Sequence, residues 1–188
     1  MVSTYTYEKL GGHDMYDPTV FENLKVAFEN HLYDLDNLEQ AVHILHRSDQ
    51  LDLAMMAREC TIRFSKVGFP TVLVDLTLHS SLKDLADEIL EIKGTDPGCL
   101  LTLLVRTCIQ DVDKECEEIA CILRTIWEND VSYTQTLSFR HEQTEPGFMN
   151  RINIHFKPKL TEEHMGEIDA FLKSVLDMME QIGEVSKR

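Results

Sequence analysis

The last third of the chain, residues 131–183, constrains the fold most strongly. Two segments there alternate apolar and polar residues, with Pro146-Gly147 between them, and a segment with apolar residues at helical spacing follows. This pattern predicts strands at 131–141 and around 152–156, joined by a turn, and a long helix capped by Thr161. The apolar positions that set the two strands are Tyr133, Leu137, Phe139, Ile152, Ile154 and Phe156.

The middle of the chain continues the same alternation of strands and helices. Apolar residues occupy every second position over 71–78, at Val72, Val74, Leu76 and Leu78, which predicts a strand. A helix is expected from Ser81 to Gly94, and another over 112–127. The run 99–105 favours a central strand buried on both faces, although a helix fits the segment 97–108 as well.

The N-terminal part favours helices. Residues 1–16 show no regular pattern, and Asp17-Pro18 is a good start for a helix that we expect to end near residue 33. Apolar residues at helical spacing predict a second, shorter helix over 38–45. Residues 48–66 fit either a helix or a strand, and we assign a strand to 57–65. A helical section over 17–56 therefore precedes the sheet and helices of 57–182.

These elements predict a single α+β domain over 1–188, with a mostly antiparallel sheet and helices on one face. Residues 99–182 give the order strand, helix, strand, strand, helix. This is the βαββα part of a ferredoxin-like split βαβ unit, without its last strand. The analogy is topological, and that fold supports too many functions to name one.

Composition excludes several classes of function. The formal net charge is -15, with 33 acidic and 18 basic residues, which argues against binding of nucleic acid or of an anionic membrane. No apolar run is long enough to span a membrane, and the N-terminus does not resemble a secretory signal. The five cysteines are odd in number and form no Cys-x-x-Cys pair, as is typical of a reducing compartment. A cytoplasmic location is therefore predicted.

The clearest functional signal is a basic side of the predicted sheet. The acidic residues concentrate on the predicted helices, whereas the polar positions of the strands carry cations and hydroxyl groups. Such a face suits a small anionic ligand or an acidic protein partner, although Ser, Thr and Arg are also common on a solvated sheet face. The predicted ligand-binding residues are Arg63, Arg140, Arg151, His155 and Lys157.

A metal site is the alternative. His43 and His46 are three residues apart and would share one helix face if that segment is helical, and they follow shortly after Asp34 and Asp36. Such a set could bind a divalent ion and activate a water molecule, as in a small metal-dependent enzyme. The spacing is weakly specific, because eight histidines in 188 residues produce it readily by chance. We predict no other cofactor.

No phosphate-binding glycine loop, zinc-protease motif or serine-hydrolase motif occurs, so binding is favoured over catalysis. Cys108 is a poor nucleophile candidate because the acidic residues that follow it would raise its pKa, and we expect it to be a buried structural thiol. We also predict a dimer, since the last helix carries Phe171, Leu176 and Met178 beside its main apolar stripe. The predicted function is thus a binding module, either homo-oligomeric and regulatory or specific for a ligand.

Overall fold

The computed structural model describes residues 19–139, 141 and 147–187. Within these residues, four α-helices and six strands follow one another, with a 3₁₀ turn at Glu162–Glu167 before the last helix. They are α1 (Val20–Asn37), β1 (Val42–Asp52), β2 (Ala57–Lys66), β3 (Phe69–Ser80), α2 (Leu82–Ile89), β4 (Leu100–Ile109), α3 (Val112–Trp127), β5 (Val131–Ser138), β6 (Phe148–Phe156) and α4 (Ile168–Val185).

All six strands form one antiparallel sheet with the order β1-β2-β3-β4-β6-β5. β6 lies between β4 and β5 and runs antiparallel to both, so β4 and β5 are parallel to each other. This is the split βαβ arrangement, and the predicted order over 99–182 is confirmed. The α+β class and the antiparallel sheet are confirmed with it.

The core lies between one face of the sheet and helices α1, α3 and α4. Inward residues of the strands pack against the buried stripes of these helices in one continuous cluster. α2 lies outside this cluster, and of its residues, all of which are described, only Asp84 is buried. The apolar residues that α1 contributes to the core are Phe21, Leu24, Phe28, Leu32 and Leu35.

The predicted helix over 38–45 is wrong, because residues 42–52 form strand β1. α1 instead runs on to Asn37, and its first turn is capped by Thr19, whose hydroxyl accepts a hydrogen bond from the Glu22 amide. β1 is an edge strand, and its register against β2 shifts between Ile44 and His46. That bulge breaks the alternation by which the sequence would reveal a strand.

Both ambiguous segments form strands, apart from a turn at 53–56, so the helical section expected over 17–56 ends with α1. β2 at Ala57–Lys66 confirms the strand assigned to 57–65, and β4 at Leu100–Ile109 settles 97–108 in favour of a strand. The expectation that this central strand is buried on both faces is wrong. Leu101, Leu103 and Val105 are buried against the helices, whereas Leu100 is 42% exposed on the other face.

The extra apolar residues of α4 are used inside the chain. Met178 is fully buried, and the Phe171 ring packs edge-on against Phe28 and Phe156. Met165 lies in the 3₁₀ turn that precedes α4 and is 37% exposed. The apolar surplus from which a dimer was inferred is therefore not on the surface of α4, and the dimer stays a prediction.

Candidate functional site

One face of the sheet presents polar side chains, and none of the four described helices packs its buried stripe against that face. On β4 and β6 the buried residues alternate strictly with residues that are exposed or half-buried. We call this second set, with its neighbours on β2, β3 and β5, the open face. Its central members are Thr61, Arg63, Asp75, Thr77, Thr102, Leu104, Arg106, Arg151, Asn153, His155, Thr134 and Thr136.

A buried carboxylate joins two arginines at the centre of the open face. Asp75 accepts two hydrogen bonds from Arg63, at 2.6 and 3.0 Å, and two from Arg106, at 3.1 and 2.7 Å. Only 8% of the Asp75 side chain is exposed, compared with 36% for Arg63 and 19% for Arg106. Each arginine therefore forms a bidentate ion pair with the carboxylate, which is the strongest geometry for an arginine–carboxylate pair.

The charges in this cluster stabilise one another. Burial alone would raise the pKa of Asp75, but the hydrogen bonds from Arg63 and Arg106 outweigh it and lower that pKa below its ordinary value. The same hydrogen bond raises the pKa of Arg63. All three groups are consequently charged near neutral pH, and the cluster carries one net positive charge.

Arg151 adds a second positive charge directly beside this cluster. It lies on β6 opposite Arg106 of β4, so the two side chains leave the sheet on the same face. Opposite residues of neighbouring strands have Cβ atoms about 5 Å apart, and like charges in that position repel. Arg151 is exposed, and no ion pair within the described ranges involves it. The open face therefore holds an uncompensated guanidinium next to a second arginine.

Hydrogen-bonding side chains lie around Arg151 on the open face. Thr136 of β5 lies opposite it, Asn153 follows on the same side of β6, and His155 lies two residues further along. The β5 residues on this face are small and exposed, so they leave the guanidinium accessible from solvent. Together these groups can donate several hydrogen bonds to one oxyanion.

The open face brings together three of the five predicted ligand-binding residues. Arg63, Arg151 and His155 lie on it, although Arg63 is committed to Asp75. Lys157 follows the end of β6, and its ammonium group donates to the Asn129 carbonyl in the α3–β5 connection. Arg140 lies outside the described residues.

The sequence prediction missed Asp75 and Arg106. Asp75 occupies a polar position of the strictly alternating strand β3, and Arg106 lies two residues after Leu104 on β4. A search for charged residues at outward positions of central strands would have found both. Asp75 was not predicted as part of the basic face, because the other acidic residues of this chain concentrate on helices.

The proposed metal ligands have a different setting from the one expected. His43 and His46 lie on strand β1, opposite Ser65 and Arg63, and not on a helix face. His43 Nδ1 lies 3.9 Å from Asp36 Oδ1. In the part of the chain that the structure describes, no group of three or more His, Cys, Asp and Glu side chains is placed to hold a metal ion.

The cysteines divide into buried and exposed thiols. Burial raises the pKa of Cys60 to about 11 and that of Cys99 to about 12, so both are protonated at neutral pH. Burial also raises the pKa of Cys116. Cys108 and Cys121 are exposed. Cys108 is thus not the buried structural thiol that the sequence suggested.

None of the helices in the described ranges combines the length and the apolar character that crossing a membrane requires. No protein-family model, no curated protein and no solved structure matches this chain.

Proposed function

We propose that the protein acts by binding and that its open face recognises a carboxylate or phosphate group. The observation that carries this proposal is the pairing of Arg151 with Arg106 across β4 and β6. Like charges opposite each other destabilise a sheet, and a bound oxyanion would remove that repulsion. Charged hydrogen bonds of this kind contribute about 1.5–3 kcal/mol each.

Asp75 limits where the anion binds. Its two carboxylate oxygens already neutralise part of the charge of Arg63 and Arg106, and they repel a second anion at that end. Arg151 lies opposite Thr136 and on the same side of β6 as Asn153, away from Asp75, so the anion is expected over β5 and β6.

The net charge of -15 favours a small or locally acidic ligand over an extended polyanion. Long-range repulsion from the helices slows the approach of nucleic acid, whereas one phosphate or carboxylate group mainly experiences the local arginines. Both a free metabolite and an acidic segment of a partner protein carry this chemistry. A dimer held by acidic side chains of a second copy would use it too.

Isothermal titration calorimetry at low ionic strength tests the proposal with three probes: inorganic phosphate, citrate and a short glutamate peptide. We expect at least one of them to bind, and Arg151→Gln to weaken its binding about tenfold or more. Arg124→Gln removes the same charge from an exposed helix position and serves as the matched control, which should bind like the wild type.

The identity of the strongest probe distinguishes a free ligand from a peptide partner. Binding should weaken as salt is added. If none of the probes binds, or if the Arg151 and Arg124 variants lose the same affinity, the open face is only a solvated surface. Sedimentation equilibrium of the intact chain tests the dimer separately, and a 21.7 kDa species at high concentration would exclude it.

A further inference from the structure

A small cavity lies on the helix side of the sheet, opposite the open face. Its volume is about 240 Å³, and it is bounded by α1, the end of α3, α4 and the segment that follows β6. Leu101, on the buried side of β4, forms part of its floor. The sheet therefore separates this cavity from Arg106 and Arg151, so it is a second, independent site.

Aromatic rings form the inner wall of the cavity. Trp127 and Phe171 are stacked with ring centroids 6.5 Å apart, and Phe156 packs edge-on against each of them at 5.3 Å. Phe28 closes the wall behind Phe171 at 6.1 Å. Trp127 is also fixed by the hydrogen bond that its indole N–H donates to the Ser174 hydroxyl, at 3.1 Å. The wall is thus formed by side chains that hold one another in place.

The solvent end of the cavity is acidic. Asp130 and Glu167 are exposed members of the lining, and His164 is a half-buried one whose Nδ1 accepts a hydrogen bond from the Thr161 N–H. The backbone of Asp130 is anchored, since its N–H donates to the Trp127 carbonyl at 2.9 Å and its carbonyl accepts from the Lys157 N–H at 3.0 Å. No lysine or arginine is among the described residues that line the cavity.

The size and the lining together specify a class of ligand. A cavity of about 150 Å³ lined by apolar side chains is known to hold benzene. A volume of about 240 Å³ therefore has room for one ring and a short chain. Aromatic faces and carboxylates both attract a cation and both disfavour an anion.

We propose that this cavity binds a small amine that carries a single ring, with the ring against Trp127 and Phe156 and the ammonium group at Asp130 and Glu167. The ring fills the apolar interior, and the ammonium group remains at the exposed end, where the carboxylates and the neighbouring π faces stabilise it. The cavity is expected to discriminate by charge among ligands of the same shape.

Three probes with the same ring and different charges test the proposal: 2-phenylethylamine, 2-phenylethanol and 3-phenylpropanoate. Each is titrated into the full chain, and binding is followed by calorimetry and by the fluorescence of Trp127, the only tryptophan. We expect the amine to bind about tenfold more tightly than the alcohol and the carboxylate to bind more weakly still. The amine should also change the fluorescence saturably, because its ring would contact the indole.

The double variant Asp130→Asn with Glu167→Gln isolates the contribution of charge. This double variant should bind the amine only as tightly as the alcohol. Its affinity for the alcohol should be the same as that of the wild type. Glu59→Gln with Glu184→Gln makes the same change in net charge at exposed positions away from the cavity, and it should keep the preference for the amine. Absence of amine binding in calorimetry, equal affinity for the three probes, or the same loss in both double variants would overturn the proposal.

Discussion

Replacing Asp75 by asparagine should test whether the carboxylate holds the centre of the open face together. The substitution keeps the shape of the side chain but removes the negative charge that four hydrogen bonds share. Breaking a buried ion pair by removing one partner costs about 3–5 kcal/mol, because the remaining charge is left uncompensated. Arg63 and Arg106 keep some contact with solvent, with 36% and 19% of their side chains exposed, which favours the lower end of that range.

We therefore expect Asp75→Asn to lower the free energy of unfolding at pH 7 by about 3 kcal/mol, with an unchanged denaturant m value. For a chain of this size, that corresponds to a fall in Tm of about 6–12 °C. Urea unfolding of both proteins measures the difference directly. Glu117→Gln is the control, because its ion pair with Arg124 is exposed and should be worth less than about 1 kcal/mol.

The same variant predicts a pH dependence whose sign follows from the lowered pKa of Asp75. A carboxyl group that loses its proton more readily in the folded state contributes its stability above the ordinary pKa of 3.8. That contribution is lost as the pH falls through the lower, folded value. The difference in the free energy of unfolding between wild type and Asp75→Asn should therefore be largest at pH 7 and should decrease below about pH 4. A difference below 1 kcal/mol at pH 7, or the same difference at pH 7 and at pH 3, would refute the argument.

Two further predictions concern α4 and the thiols. A Cβ atom at Gly183 would lie 2.2 Å from Cδ1 of Phe69, so Gly183→Ala should destabilise the protein by about 1–3 kcal/mol, whereas alanine in a helix usually stabilises. Urea unfolding measures this loss of stability, and the added substitution Phe69→Ala should relieve the steric clash and remove the loss. A Gly183→Ala variant that is more stable than the wild type would contradict the prediction. In the native protein at pH 8, iodoacetamide should modify the exposed Cys108 and Cys121 long before the buried Cys60 and Cys99. The raised pKa values of Cys60 and Cys99 leave almost no reactive thiolate at these two residues. Peptide mass spectrometry determines the order in which the cysteines are modified. Early modification of Cys60 or Cys99 would contradict the prediction and show that local unfolding exposes the buried thiol.

Strands with one buried face could be predicted from the sequence, whereas the edge strand β1 could not. β3 and β6 show their alternation because every second residue enters the core. On β1 only Val42 is buried, and two inward positions carry Arg47 and Asp49. These side chains pair with charged residues of α1, at 2.6 Å to Glu29 and 2.9 Å to Lys25. Inward charges protect an edge strand from pairing with another chain, and they also hide it from hydrophobic periodicity.

The open face was predictable as a basic surface, but its pairings were not. Alternation alone places Arg151 and His155 on the side away from the core. The position of Arg151 opposite Arg106 depends on the order β4-β6-β5, in which β6 inserts between strands that the chain connects through α3. A single sequence does not specify that order. The aromatic cavity is hidden for the same reason, since its lining comes from four parts of the chain.

The packing of α4 on β2 and β3 has a consequence for how the chain reaches its native state. β1, β2 and β3 are joined by short turns, so their pairing closes only small loops and can form early. Yet Lys66, at the end of β2, meets its α4 partner Glu180 only 114 residues later. At about 5–20 residues per second, a ribosome needs roughly 6–23 s to make that interval. During this time α4 does not yet cover the apolar inner surface around Phe64 and Val74. A nascent chain of this topology would need a chaperone most in that interval.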